Sequence, residues 1–375
     1  MTYSIVVPHH DGAKILDYCL TTLRSSVPDD VEIVVVLNNA NRDEIEIPLD
    51  ETRFRAIRIN QDLGYGGAVN AGVEQARGRY VIFCDNDTSF LSGWFEALTR
   101  LHHSSPRIGT ASSKLIGPAH GRIVDFGIAF TEYNAPHPFM DAEWDHPLTA
   151  HSRPVQAACS AVMIIEKKLF DSVGRFSDRP HSYYNDIELC LRIADAGYES
   201  WVVADSIAFH KSSFSGSKIA AYKSPSLKAD QKAWFMAHYG AKIRVDMDSY
   251  VREAFDHFRG RFKVAGEYVL VDMSSVVDRD WYCQLIREQA PVLDVYHYPS
   301  YTRDSVATAL FEHLGTNVMS MRIPFIYFVD RFTALRQNAL WASLRMHEFD
   351  LVVDRNGNVR RFADVVEPAG RGHDH

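Results

Sequence analysis

An α/β fold with a mostly parallel sheet flanked by helices is what the first 210 residues predict. Three observations point there. Short runs of β-branched and aliphatic residues recur, segments with helical spacing separate them, and a polar or glycine-rich cluster follows each run. The run from Ser4 to Val7 is stopped by Pro8, and Ala13 to Ser25 places Ile15, Leu16, Cys19, Leu20 and Leu23 at helical spacing. Glu32 to Leu37 reads as a buried strand closed by the polar turn Asn38 to Asp43. Phe54 to Ile59 reads as a third strand, Ala68 to Ala76 as a helix after a glycine cluster, and Tyr80 to Cys84 as a fourth strand.

Continuous apolar strands separated by helices imply a parallel sheet covered on both faces. Ligands of such sheets gather at the carboxyl ends of the strands. The polar clusters at 8–12, 38–43, 60–67 and 85–88 all fall there. That convergence is the first functional signal.

Composition narrows the class. The chain has 375 residues, which suggests two or three domains. A formal charge of −8 argues against a nucleic-acid partner, which a basic surface would mark. The five cysteines (19, 84, 159, 190, 283) form no CxxC pair, so neither a disulfide framework nor a zinc site is indicated. The N-terminus lacks the basic and apolar regions of a signal peptide, and no run reaches the roughly 18 apolar residues of a membrane span. The expectation is a cytoplasmic protein, with peripheral contact at the inner membrane face and homo-oligomerisation left open.

Two motifs carry chemistry. The piece NQDLGYGGAVNAG, from Asn60, has Gly64 and Gly66 but valine at position 69, so it is no dinucleotide fingerprint, and no GK[ST] makes it a P-loop. It still lets backbone approach a ligand at a helix N-terminus, which favours anions. A ligand-free turn is the competing reading. In YVIFCDNDTSF, Asp85 and Asp87 share a face if the backbone is extended. Two carboxylates held that close raise each other's pKa unless a cation neutralises them, and Mg²⁺ or Mn²⁺ suits oxygen ligands of this kind. Alone, a DxD is more often a solvated turn; at the end of the fourth strand it gains meaning.

Together SIVVPHHDG, EIVVVLNNANRD, NQDLGYGGAVNAG, GRYVIFCDNDT, ACSAVMIIEKKLFDSVGRF and YYNDIELCLRIADAGY resemble the family-2 glycosyltransferases of the GT-A (Rossmann-like) fold, over roughly residues 3–215. The resemblance implies transfer of a sugar, with inversion, from a nucleotide-diphosphate donor to a glycan, lipid-linked or small-molecule acceptor. It implies Asp85 and Asp87 as metal ligands and Asp186 as general base, with Glu188 the second choice. Pro8, His9, Asp11, Asn38, Asn39, Asn60, Gly64, Gly66, Gly67, Asn70 and Asn86 would line the donor beside Asp85. His210 would approach the metal or diphosphate, its competing reading being a packed residue. Lys211 begins a lysine-bearing stretch, 211–229, expected to be either a solvated loop or a lid that closes over the diphosphate. Trp94 and the pair Tyr183–Tyr184 are candidates for sugar stacking or core.

The chemistry is coherent with that resemblance. Breaking a glycosyl–phosphate bond builds charge on the departing diphosphate, which a divalent cation stabilises. An attacking hydroxyl needs a proton acceptor within about 3 Å. NDIELCLRIADAG reads as a helix start that Asn185 or Asp186 caps, with Leu189, Ile193 and Ala196 facing the core. Three departures stand out. Asn185 replaces the family's usual glutamate before the base, Asn38 its usual aspartate, and Ser160 its usual glycine. The Asn38 amide oxygen can accept from a pyrimidine N–H, which favours a UDP- or dTDP-sugar.

Residues 1–235 are therefore expected to form the transferase domain, 236–365 a smaller C-terminal α/β region, and 366–375 a disordered tail. In the second region, positions 243–255 and Trp281 to Gln289 space as helices, Tyr268 to Val271, Val292 to Tyr298 and Phe325 to Val329 as strands, and Arg303 to Leu314 as a further helix. A hairpin is expected around Asn356-Gly357. This region would bind acceptor, mediate dimerisation or support the first domain. A catalytically degenerate sugar-nucleotide or glycan binding module is the rival reading, favoured by Asn38 and Asn185. A sugar-nucleotide pyrophosphorylase would want a basic glycine-rich loop after the first strand, which VVPHHDG lacks.

Overall fold

A computed structural model of the chain describes residues 1–40, 53–131, 135–140, 142–177, 183–211, 225–258, 266–274, 279–297, 324–332 and 349–366. The chain divides into two compact units. One comprises Met1–Ala129 and Ala135–Arg244, the other Phe130–Asn134 and Val245–His375.

The first unit opens with β1 (Tyr3–His9), α1 (Ala13–Ser26), β2 (Glu32–Asn38), β3 (Phe54–Ile59), α2 (Gly64–Gln75) and β4 (Tyr80–Cys84). It continues with β5 (Thr88–Phe90), α3 (Trp94–His102), β6 (Ile108–Ile116), β7 (Ile123–Asp125), β8 (Arg153–Val155) and β9 (Val162–Glu166). Then come α4 (Lys167–Ser172), α5 (Asn185–Asp195), β10 (Glu199–His210) and α6 (Pro225–Tyr239). The main sheet runs β3-β2-β1-β4-β9-β6-β10-β5, with β7 on β6 and β8 on β10. β3, β2, β1 and β4 are mutually parallel, as the sequence predicts, so their carboxyl ends line up along one edge. β9 then runs antiparallel between β4 and β6, which makes the sheet mixed.

The core explains the run composition. Residues of β2 are buried from end to end, and Leu16, Cys19, Leu20 and Leu23 of α1 are fully buried against the sheet. At the far edge from the polar loops, buried Glu32 accepts from Ser4 Oγ (2.5 Å), the Arg77 amide (2.8 Å) and Arg55 (2.7 Å). Burial alone would raise its pKa, yet these donors win and lower it. This carboxylate is structural.

Two expectations shift on inspection. Helix α2 begins at Gly64, so the glycines form its first turn rather than a loop before it. Further along the same helix the packing on the sheet is close: a Cβ at Gly72 would lie 2.4 Å from Val6 Cγ1 and 2.7 Å from Val36 Cγ2. Gly64 itself has φ +67°, which favours glycine. Helix α5 is capped by Tyr184 without a side-chain bond, and it ends at Asp195, so Ala196 is exposed while Leu189 and Ile193 are buried.

The second unit contains α7 (Met247–Phe258), β11 (Tyr268–Asp272), α8 (Arg279–Gln289) and β12 (Val292–His297). It closes with β13 (Phe325–Val329), β14 (Leu351–Asp354), β15 (Val359–Arg361) and α9 (Phe362–Val366). Its sheet order is β12-β11-β13-β14-β15, parallel except for the terminal hairpin, where Gly357 has φ +74°. Phe130 O accepts the amides of Asp246 and Met247, and its own amide donates to Asp246 Oδ1, so that mid-chain segment goes with this unit. The helix expected over Arg303 to Leu314 and the C-terminal tail lie outside the described residues.

Candidate active site

The turn after β4 resolves the aspartate pair. The Asp85 amide donates to Ala161 O (2.8 Å), and Thr88 Oγ1 donates back to Asp85 O (2.7 Å), closing the turn. Alternation then sorts the side chains. Asn86 turns inward, where its Nδ2 donates to His9 Nδ1 (2.8 Å) and to Asp11 O (3.2 Å). Burial pushes the His9 pKa down to about 4, against the pull of Asp11, so the ring accepts as a neutral imidazole. Asp85 and Asp87 turn the other way.

There they meet His210 at the end of β10. The antiparallel pairing of β10 with β5 sets His210 opposite Thr88, and the Lys211 amide donates to Asp87 O (3.2 Å). His210 Nε2 lies 3.4 Å from Asp85 Oδ2 and 3.1 Å from Asp87 Oδ1. Burial would lower the imidazole pKa, but hydrogen bonds and charge from the two carboxylates overcome it and raise it to about 10. One ligand atom from each of the three residues lies within 4.8 Å of the others. The buried Asp85 Oδ1 has no hydrogen-bond partner among the described residues. An orphaned carboxylate oxygen beside a second carboxylate and an imidazole fits a hard or borderline divalent cation.

The other positions expected at the donor lie at or just after the carboxyl ends of β1, β2, β3 and β10 and in α2. Pro8 is paired within β1, partly buried, and followed by the buried His9. Asp11 Oδ1 accepts from the amide of Gly12, which has φ +89° at the start of α1. Asn38 is buried: its oxygen accepts the Leu63 amide (2.9 Å) and its Nδ2 donates to Asp62 Oδ1 (2.9 Å). Asp62 also receives the Gly64 amide (2.8 Å), so it ties the end of β2 to the first turn of α2. Asn39 sits at φ +57° with an exposed side chain, and Asn60 and Lys211 are exposed. Asn70 is spent on a clamp, exchanging bonds with Phe176 O (2.9 Å) and Phe176 N (3.1 Å). Gly66 and Gly67 lie inside α2, and a Cβ at Gly66 would press on Phe176 and Asn185.

Asp186 occupies the first turn of α5. Its Oδ1 accepts the Ile187 amide (2.9 Å), and the carboxylate is half-buried. Burial pushes its pKa up to about 6; the Ile187 hydrogen bond and His137 pull it back, while Asp125 adds to the rise. Glu188, in the same first turn, is buried. Ahead of the helix, Tyr184 stacks on Phe235 at 4.5 Å and Gln231 accepts the Tyr183 amide (2.9 Å), so α6 anchors the approach to Asp186. Trp94 is core, stacked on Phe90 at 4.1 Å.

Sequence reasoning passed over five residues here. Asp62 is one, and its place two residues before Gly64 was a usable signal. Tyr65 is another: its hydroxyl donates to Ser160 O (3.2 Å), and burial, then Asp85, raise its pKa. Burial, then the charges of Asp125, Asp186 and Asp85, push the Cys159 thiol well up. Asp125 and His137 come from a motif-free stretch, and only the fold brings them close to Asp186.

An open α/β sheet with a carboxylate–imidazole cluster at the carboxyl edge of its parallel strands is the class the geometry defines. Residues 4–120 match the family described as Glycosyl transferase family 2, and that segment belongs to it. The chain is 26% identical over 230 residues to a Sinorhizobium fredii protein named "Uncharacterized protein y4gI", covering 57% of this chain and 25% of that protein. It is 26% identical over 226 residues to the "O-antigen biosynthesis protein RfbC" of Myxococcus xanthus, covering 56% of this chain and 17% of that one. The chain thus spans a quarter or less of the length of these relatives. Among solved structures, GalNAc-T7 with UDP, GalNAc and Mn²⁺ superposes with a TM-score of 0.47 at 17% identity, over 56% of this chain and 44% of that one.

Among the described residues, no helix is long and apolar enough to cross a membrane.

Proposed function

We propose that this chain is an inverting glycosyltransferase that moves a sugar from a nucleoside-diphosphate donor to an acceptor hydroxyl. The observation that carries the reading is the Asp85–Asp87–His210 cluster at the end of β4, with its orphaned Asp85 oxygen. Asp85, Asp87 and His210 would hold Mn²⁺ or Mg²⁺. When bound, that ion supplies positive charge against the departing diphosphate.

The chain's own groups do the rest. The first turn of α2 offers backbone N–H groups to phosphate oxygens, and the Asp62–Asn38 bridge holds that turn against the end of β2. Asn38 keeps a second lone pair for a pyrimidine N–H, which favours a UDP- or dTDP-sugar. Asp186, in the first turn of α5, takes the proton from the acceptor hydroxyl. A pKa of about 6 suits this role, since the group is ionised at neutral pH yet basic enough to hold a proton. Lys211, exposed just after His210, would reach toward the diphosphate; the rest of the lysine-bearing stretch up to 224 lies outside the described residues. A relative named for O-antigen biosynthesis favours a glycan or lipid-linked acceptor in polysaccharide assembly.

The test is a thermal-shift screen of UDP-, dTDP- and GDP-sugars with and without Mn²⁺, since a ligand that binds the native state raises Tm by mass action. Metal-dependent stabilisation by one donor supports the reading. Stabilisation by none overturns it. Stabilisation without any donor turnover selects the binding-module alternative that Asn38 and Asn185 favour.

A further inference from the structure

Asn86, between the two aspartates of the turn after β4, makes bonds that the proposed chemistry has not used. The chain leaves β1 for β2 on one side and returns to β4 on the other, and ligands of open α/β sheets bind in the crevice at such a reversal. The pairing of Val6 with Phe83, carried forward, sets His9 at the end of β1 level with Asn86. Asn86 Nδ2 lies 2.8 Å from His9 Nδ1 and 3.2 Å from Asp11 O. A backbone carbonyl only accepts, so the Asn86 group that faces it is the amide nitrogen and not the oxygen. That nitrogen donates one hydrogen to Asp11 O and the other to His9 Nδ1.

The tautomer of His9 follows from these bonds. An imidazole nitrogen that accepts carries no proton. Burial, the largest influence on this ring, pushes its pKa down to about 4, so near neutral pH its single proton sits on Nε2. The neighbouring His10 makes the opposite bond: its Nδ1 lies 2.9 Å from Asn38 O, which only accepts, so there Nδ1 donates. His9 is 3% exposed, and its Nε2 has no hydrogen-bond partner among the described residues. A buried N–H without an acceptor is costly, and a ligand oxygen in the crevice would satisfy it. Alternation puts Asn86 on the opposite side of the turn from Asp85 and Asp87, which face His210. The ligand group that meets His9 is therefore the nucleoside, away from the metal and diphosphate.

We propose that Asn86 is a positioning residue that holds His9 as its Nε2–H tautomer, and that His9 is thereby a neutral hydrogen-bond donor to an oxygen of the sugar donor's nucleoside. The ligand half rests on the glycosyltransferase reading; the tautomer half does not.

The experiment is long-range ¹H–¹⁵N NMR of the full chain labelled in its histidines, at about pH 8, where an ordinary imidazole is neutral. The His9 signals are assigned by their loss in His9→Gln. Wild type should show a protonated Nε2 and a bare Nδ1. In Asn86→Asp the facing carboxylate only accepts, so a proton should appear on Nδ1. A wild-type ring protonated at Nδ1 overturns the proposal, and so does an Nδ1 that stays bare in Asn86→Asp. Uridine, thymidine and guanosine are then added singly, followed by Mg²⁺-pyrophosphate. One nucleoside should shift the His9 Nε2–H signal, whereas a shift with pyrophosphate alone overturns the nucleoside assignment. Binding of the matching diphosphate (UDP, dTDP or GDP, with Mn²⁺) should weaken about tenfold in His9→Asn, whose amide reaches only the Nδ1 position. His9→Gln, whose amide nitrogen takes the Nε2 place, should recover most of that loss; an equal loss in both variants marks a packing effect and overturns the proposal. Failure of all three diphosphates to stabilise wild type sinks the glycosyltransferase reading and the ligand half with it. Stabilisation by one of them with no nucleoside shift sinks this proposal alone.

Discussion

Both units place aspartates at the carboxyl ends of parallel strands, yet the carboxylates do different things. In the second unit, Asp272 Oδ1 accepts the Ser274 amide (3.0 Å) and its hydroxyl (2.7 Å). Asp354 accepts the amides of Asn356 and Asn358 (2.9 Å each), and its Oδ2 receives Asn358 Nδ2 (3.0 Å). These groups fold back on their own turns, in the way short polar side chains commonly do. In the first unit the turn after β4 is closed by Thr88 instead, which leaves Asp85 and Asp87 to face His210 from across the sheet. A strand-end aspartate is therefore a site candidate only when something else satisfies the turn.

Asp186 offers the hardest test, because it both bonds its own helix amide and is assigned the proton. Asp186→Asn keeps the shape and an acceptor for the Ile187 amide, so the fold and the donor-induced Tm shift should survive. Turnover should fall by about 10²–10⁴-fold, the usual worth of a positioned base. In the wild type, the raised pKa means that the base is protonated below about pH 6 and ionised above it. Turnover should therefore drop about tenfold per pH unit below that point, a slope read from initial rates. Near-normal transfer by Asp186→Asn would remove Asp186 from the ligand-facing side of the comparison.

Next in size is the pair that faces His210. Asp87→Asn or Asp85→Asn should weaken Mn²⁺-dependent donor stabilisation by at least the about 10–100-fold that losing even an outer partner of a metal site costs. Titrating Mn²⁺ against the thermal shift reads this directly. Unchanged metal dependence in both variants would make the pair a turn like those of the second unit. Asp354→Ala should do the reverse. It strips three bonds from the buried terminal hairpin, so stability by urea unfolding should fall by about 2 kcal/mol while donor binding is untouched.

Much of the donor side was legible because it is local. The parallel order of β3, β2, β1 and β4 follows from apolar runs and intervening helices, and the facing of Asp85 and Asp87 follows from strand alternation. Two things were out of reach. The glycine cluster reads as a loop because glycine disfavours helix; what overrides that preference is packing of α2 on Val6 and Val36, thirty residues apart in the chain. Asp125 and His137 lie in a stretch with no periodicity or motif, and only the fold sets their segment and helix α5 against the same stretch, 157–160. The single residues Asn38 and Asn70 were legible as a polar strand end and a polar helix position, but whether such an amide meets a ligand or the protein itself depends on contacts 24 and 106 residues distant.

The smallest expected effect falls on the residue that makes the two kinds of aspartate different. Thr88 is buried, and its hydroxyl donates to Asp85 O while lying 3.2 Å from Cys84 Sγ and 3.7 Å from Cys19 Sγ. Thr88→Val keeps the shape and the strand preference but leaves the Asp85 carbonyl without that donor. Stability should fall by only about 1 kcal/mol, the net worth of one such bond. The freed turn should then let Asp85 wander from the His210 side, so the Mn²⁺ titration should weaken by more than the stability loss alone explains. A stability loss with wholly normal metal dependence would mean that the sheet pairing of β5 with β10 aims the carboxylates without help from the threonine.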